Sequence, residues 1–284
     1  MALESGIAQL VEAFIAAGRP SSREQNIDDR RAAYIASTAL AGETETRVQV
    51  EDIELDAMAF RVISPRGSTG NLPCVIYYHG GCFVSGGFAT HDNQLRQLAW
   101  YSGCRVIAVQ YRLAPEHTFP AAHNDAETGA NIIWKYAQKL GVDRDNITLA
   151  GDSAGGHLAL VTALRLKAAR QWQPAQLMLI YPMLDATASF ASYDHNGRDY
   201  IITRDTLLRA TKCICRKPIH YIPKSAHSGA KTSTVYRPRT SLLPNSTHCE
   251  MRVKPCINGS WSKAWSALAN AISALSTVFS SWQG

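Results

Sequence analysis

The side chain with the chemistry to attack a carbonyl is Ser153. It lies in Gly151-Asp152-Ser153-Ala154-Gly155, which fits G-x-S-x-G. The apolar run Ile147–Ala150 precedes it and a helical stretch follows. A tight strand-to-helix turn would lift the hydroxyl to the carboxyl edge of a sheet, and flanking glycines leave room where a Cβ would strike backbone. The N–H of Ala154, opening the helix, would point at developing negative charge. A second string, His79-Gly80-Gly81-Cys82, follows the apolar run Cys74–Tyr78. Small residues there let backbone N–H groups approach a tetrahedral oxyanion, and losing one such donor typically costs about 2.7–4 kcal/mol of barrier. Together the two strings describe nucleophilic acyl transfer.

The elements that must hold these strings are legible. Short continuous apolar runs recur at Cys74–Tyr78, Val106–Val109, Ile147–Ala150 and Leu177–Tyr181, as in strands buried on both faces. Helical stretches at about 91–102, 121–140 and 154–170 separate them. Strand–helix alternation of this kind predicts an α/β fold, a mostly parallel sheet with helices on both faces. Ahead of it, Ile7, Leu10, Val11, Phe14 and Ile15 have helical spacing. Ser21 with Glu24 fits a capping box for a second helix carrying Tyr34 and Ile35. Ile53, Leu55, Ala57 and Ala59 alternate as in one half-exposed strand.

Here the chain resembles the hormone-sensitive-lipase-like carboxylesterases of the α/β-hydrolase fold. Carrying the resemblance are Tyr78-His79-Gly80-Gly81, Tyr111-Arg112-Leu113-Ala114-Pro115-Glu116-His117 with Phe119-Pro120-Ala121-Ala122, and Gly151-Asp152-Ser153-Ala154-Gly155-Gly156. Ile180-Tyr181-Pro182 and Tyr200-Ile201-Ile202-Thr203-Arg204-Asp205 agree with it. The resemblance runs from residue 1 to about 210. It implies hydrolysis of short- to medium-chain acyl esters through a Ser-Asp-His triad, with no cofactor and no metal. It also implies cap helices over 1–45, a core over 46–210, and a small ester as the partner. Ser153 becomes the nucleophile. The N–H groups of Gly80, Gly81 and Ala154 become the oxyanion hole, with His79 and Cys82 in the same loop. His79 and Asp125 would brace loops, His157 would pack, and His91, His117 and His123 would lie at the surface or brace loops.

Composition narrows the class. Apolar residues make up 46% and charged residues 18%, enough for a packed core. No run approaches the roughly 18 apolar residues of a membrane span. The first residues lack a basic segment followed by an apolar one, so no secretory leader is read. Seven cysteines without zinc-like pairing favour a reducing, cytoplasmic setting, and Cys213 and Cys215 have no partner pair for a metal.

The net charge of +6 is unevenly placed. Residues 1–210 carry 19 Lys/Arg and 22 Asp/Glu, whereas 211–284 carry 10 Lys/Arg and the single acid Glu250. A basic tail can read as a nucleic-acid or membrane appendage. This one has no basic-aromatic stripe on a definable fold, and no nucleic-acid partner is read from it. It also breaks the triad. Near position 248 it offers only Glu250, no histidine follows His248, and His195, His220 and His227 come too early for the order Ser, Asp, His.

A shifted reading frame reconciles tail and family. Taking each codon's third base with the next codon's first two, Leu243 to Val253 permit Ala-Glu-Phe-Asp-Pro-Leu-Arg-Asp-Glu-Gly. That resembles the block around the triad aspartate, with the aspartate codon straddling Ser246 and Thr247. The same frame over Ala271 to Ser280 permits Tyr-Leu-Gly-x-Ile-His-Gly-Phe-Phe. That resembles the histidine block, with its codon straddling Ser276 and Thr277. The expectation is therefore a serine carboxylesterase gene whose C-terminal quarter is read out of frame from near codon 210. The alternative is a non-catalytic binding protein on the same scaffold, as in the gibberellin receptors. These resemble the family, lack the histidine and bind a small carboxylate.

Overall fold

The structure is a computed structural model that describes residues 5–17, 25–186, 188, 191–195, 197 and 202–215. Both shifted-frame blocks, the Ser21–Glu24 capping box and Tyr200-Ile201 lie outside the described residues.

Among the described residues six strands form one sheet: β1 (Val48–Leu55), β2 (Met58–Pro65), β3 (Leu72–Tyr78), β4 (Arg105–Val109), β5 (Val142–Asp152) and β6 (Gln176–Ile180). The helices are α1 (Ser5–Ala16), α2 (Ile27–Ala36), α3 (Phe88–Ser102), α4 (Ala121–Lys135), α5 (Ala154–Ala168), α6 (Ser192–His195) and α7 (Arg204–Ile214). The expected α/β architecture is present: β3 to β6 run parallel, and β1 and β2 add an antiparallel edge.

Each apolar run becomes a strand because its alternate side chains bury on opposite faces. Cys74, Ile76 and Tyr78 join Ile107, Val109, Ile147 and Leu149 under α4 and α5. Val75 and Tyr77 join Val106, Ala108 and Ala150 against Leu95, Leu98 and Ala99 of α3. A strand flanked by helices has no polar face, which is why these runs read as continuous rather than alternating.

One local reading differs. The alternation over 53–59 is not one strand but the tip of the β1–β2 hairpin. Asp56 and Ala57 both take positive φ, 49° and 60°, and Leu55 pairs with Met58. Two successive left-handed residues match the twist of flanking strands, and Asp is tolerated there. Helix α2 also starts later than the Ser21–Glu24 reading implies. Its cap is Asn26, whose side chain accepts the Asp29 N–H at 2.8 Å.

Sheet order is β1-β2-β4-β3-β5-β6. From β3 the chain crosses to β4 on one side and then to β5 on the other. The carboxyl ends of β3 and β5 therefore flank a topological switch point, where open α/β sheets form their crevice. Tyr78 pairs with Gly151, so the residues that follow each strand emerge side by side.

Candidate active site

The chain leaves β5 through a strained turn. Ser153 has φ 52° and ψ −114°, and α5 begins at Ala154. A Cβ on Gly155 would run into the Tyr78 carbonyl, and one on Gly151 would meet the Gly155 backbone. Both glycines are thus demanded by the close approach of β3, β5 and α5. The Ser153 N–H donates to Ile180 O at 2.8 Å, and its carbonyl accepts from Met183 N at 3.0 Å. The Ser153 peptide is clasped between β6 and the segment after it.

The loop after β3 faces this turn. Gly81 O accepts the Val84 and Ser85 amides, each at 3.1 Å, and Ser85 Oγ at 3.0 Å. Gly81, Cys82 and Phe83 follow one another at positive φ: 119°, 56° and 62°. Among the described residues no acceptor takes the N–H of Gly81, Cys82 or Ala154. The N–H of Gly80 is committed, donating to Asp152 Oδ1 at 2.9 Å. That differs from the expected use of Gly80 as an oxyanion donor. The cause is geometric: Asp152 Oδ2 occupies the space where a Gly80 Cβ would stand.

Asp152 collects two more partners on the same oxygen, Tyr77 OH at 3.0 Å and His91 Nε2 at 3.1 Å. Thr90 Oγ1 lies 2.8 Å from His91 Nδ1 and joins the ring to the start of α3. Burial alone would raise the Asp152 carboxyl. The nearby His91, its hydrogen bond, and the Tyr77 hydroxyl reverse that and hold it below the usual range. His91 is 1% exposed, so of the two expected roles, surface or loop-bracing, its contacts fit the second. Its position one turn into the helix after Gly86-Gly87 was the available signal.

His79 braces the loop as expected. Its Nδ1 lies 2.7 Å from Gly80 O, its carbonyl accepts Tyr111 OH at 2.7 Å, and the two rings stack at 4.2 Å. Burial, with His91 nearby, pushes its imidazole down to about 3. Asp125 holds the Arg112 backbone and guanidinium at 2.7–2.9 Å, a second brace. His157 packs: its Nδ1 lies 2.8 Å from Met183 O and its Nε2 3.0 Å from His123 Nε2. Burial, then the neighbouring His157 and Arg165, lowers His123 to about 4. His117 is exposed, as expected.

The Ser153 hydroxyl is buried and has no hydrogen-bond partner among the described residues. Among them, no three His, Cys, Asp or Glu side chains gather as metal ligands, and no helix is long and apolar enough to cross a membrane.

Strand order, the turn at Ser153 and the glycine loop before it form one constellation. The family described as alpha/beta hydrolase fold matches residues 75–228, more than half of the chain. The chain belongs to that family, in its hormone-sensitive-lipase-like branch. An ethyl acetate hydrolase of Pseudomonas putida is 33% identical to this α/β-hydrolase over 209 residues, covering 70% of the chain and 66% of that protein. A carboxylesterase of Mycobacterium tuberculosis is 35% identical over 166 residues, 57% of the chain and 52% of that protein. The solved structure of a hyperthermophilic esterase from Pyrobaculum calidifontis superposes with a TM-score of 0.70 at 35% identity, covering 77% of the chain and 72% of its own. This α/β-hydrolase thus spans about half to two thirds of the length of these curated relatives. The family match ends at residue 228, before either shifted-frame block.

Proposed function

We propose that this α/β-hydrolase is built to hydrolyse carboxylic esters of short- to medium-chain acyl groups through an acyl-enzyme on Ser153. The supporting observation is the set of uncommitted N–H groups of Gly81, Cys82 and Ala154 around a serine on a strained turn. In this reading Ser153 Oγ bonds to the acyl carbon, and the carbonyl oxygen takes the negative charge under those N–H groups. Collapse of that adduct breaks the bond to the alkoxy oxygen, which leaves as the alcohol with the proton that Ser153 gave up. Water then adds to the acyl carbon, the bond to Ser153 Oγ breaks, the hydroxyl regains a proton and the acid is released. Gly80, expected as a donor, instead spends its N–H on Asp152 and fixes the loop. His79 braces the same loop. The similar proteins named as esterases support the reaction class.

The unpartnered Ser153 hydroxyl fits a triad acid and base supplied by the shifted reading frame. It equally fits a second reading, a binding protein that keeps the scaffold without turnover. A serine with no base is a weak nucleophile.

The deciding experiment restores the frame in the gene and measures p-nitrophenyl acetate and butyrate hydrolysis, with and without Ser153→Ala. The esterase reading expects turnover in the restored protein and loss of it in the variant. Full activity in the Ser153→Ala protein overturns the nucleophile. Tight small-carboxylate binding without turnover in the restored protein favours the second reading.

A further inference from the structure

The N-terminal helix α2 puts an unusual side chain against the glycine loop. Arg31 Nε donates to Val84 O at 2.8 Å, and Nη2 donates to Ala114 O at 3.2 Å. Ala114 N in turn donates to Phe83 O at 2.9 Å. Phe83, Val84, Arg31 and Ala114 therefore close a ring of hydrogen bonds. The guanidinium is oriented from outside by Glu116, which takes Nη1 at 2.7 Å and Nη2 at 2.8 Å in a two-pronged pair. One planar fork thus serves two backbone carbonyls and a carboxylate, which a lysine ammonium cannot match in geometry.

The place where this ring closes matters. Cys82 and Phe83 are non-glycine residues held at φ 56° and 62°. Side chains rarely adopt that conformation, and it persists only where the surroundings over-determine it. Cys82 also packs with Ile27, one turn before Arg31, in the cluster beneath α2 and α7.

We propose that Arg31 is a positioning residue for acyl transfer. By pinning Val84 and Ala114 it keeps Cys82 and Phe83 left-handed, and so aims the Gly81 and Cys82 N–H groups at the oxyanion. The inference rests on the esterase reading for its chemistry but not for its geometry. Helix α2 is then a clamp on the transition-state machinery, beyond any part it plays in covering the acyl group.

The test compares full-length wild type, Arg31→Lys, Arg31→Met and Glu116→Gln by hydrogen exchange, with the frame-restored protein for kinetics. The amides of Val84 and Ser85, which donate to Gly81 O, report the loop; those of β3 and β5 report the fold. Arg31→Met and Arg31→Lys should speed loop exchange at least tenfold and leave β3 and β5 unchanged. Glu116→Gln should give a smaller rise. In the restored protein the two Arg31 variants should lower kcat for p-nitrophenyl acetate at least tenfold, with KM within threefold. Unchanged loop exchange overturns the proposal. So does a rise spread equally over β3 and β5, an Arg31→Lys protein that behaves as wild type, or a loss confined to KM. If the restored protein shows no turnover, the esterase reading fails, while loop exchange still decides the role of Arg31.

Discussion

The Gly80 N–H donates to Asp152 Oδ1 at 2.9 Å. The residue just before Ser153 therefore holds the loop that faces Ser153. Two parts of the chain 72 residues apart, one just after β3 and the other ending β5, are fixed to one another by a single carboxylate oxygen.

Asp152→Asn should weaken this tie without removing it. A hydrogen bond to a charged acceptor is worth about 1.5–3 kcal/mol, against roughly 1 for a neutral one. In the frame-restored protein we expect kcat to fall by roughly 2- to 30-fold, with a small change in KM. The acid limb gives a second readout. The Asp152 carboxyl is held below its ordinary value, so its contribution to stability is present above about pH 4 and is lost as pH falls through the native value. The gap in unfolding free energy between wild type and Asp152→Asn should close as pH is lowered past 4. A gap that stays constant down to pH 2 would count against a charged Asp152.

His79 and His123 predict a different pH dependence. Both are held neutral, down to about 3 and about 4. In the unfolded chain each would take a proton near pH 6.5. Between about pH 4 and 6.5 the unfolded state binds more protons, so stability should rise with pH, by up to about 1.4 kcal/mol per unit for each group. Denaturant titrations across this window should show the slope, and His123→Gln should reduce it. An identical slope in that variant would contradict a neutral His123.

Gly155→Ala should not be tolerated. Its methyl would drive into the Tyr78 carbonyl, and neither β3 nor α5 can retreat without breaking the sheet. We expect a loss of at least about 3 kcal/mol, at the upper end for a single substitution. Circular dichroism of the purified variant would show it. Ala154→Gly, in the same turn, should be far milder and serves as the control.

The chain with its present tail should be a poor esterase, and the DNA should show why. Resequencing the gene, or mass mapping peptides of residues 211–284 from the native protein, should reveal the two blocks in the third-base frame. Stops in that frame, or peptides matching the present tail in a fully active protein, would end the idea.

How far the sequence could be read follows from what each signal depends on. The four buried strands were visible because burial on both faces forces an apolar run, as at Val106–Val109. Ser153 and Gly81 were visible because the turn and the close approach admit few residue types. The hairpin at Asp56 and Ala57 was missed because the alternation of Ile53 and Leu55 continued by chance across it. The Asn26 cap was missed because Ser21 and Glu24 offered a more familiar pattern. The partners of Asp152 were invisible for a different reason. Tyr77 and His91 are 75 and 61 residues away, and nothing local marks a contact made only when β3, α3 and β5 assemble.

The clasp on Ser153 has a consequence for its motion. Its amide hydrogen is held by the carbonyl of Ile180, the last residue of β6. Different parts of one fold open locally at different free-energy costs. Solvent protection of the Ser153 amide is therefore capped by the opening of β6, however tightly β3 and β5 stay paired. The Ser153 peptide should open with β6 rather than with the β3–β5 pair.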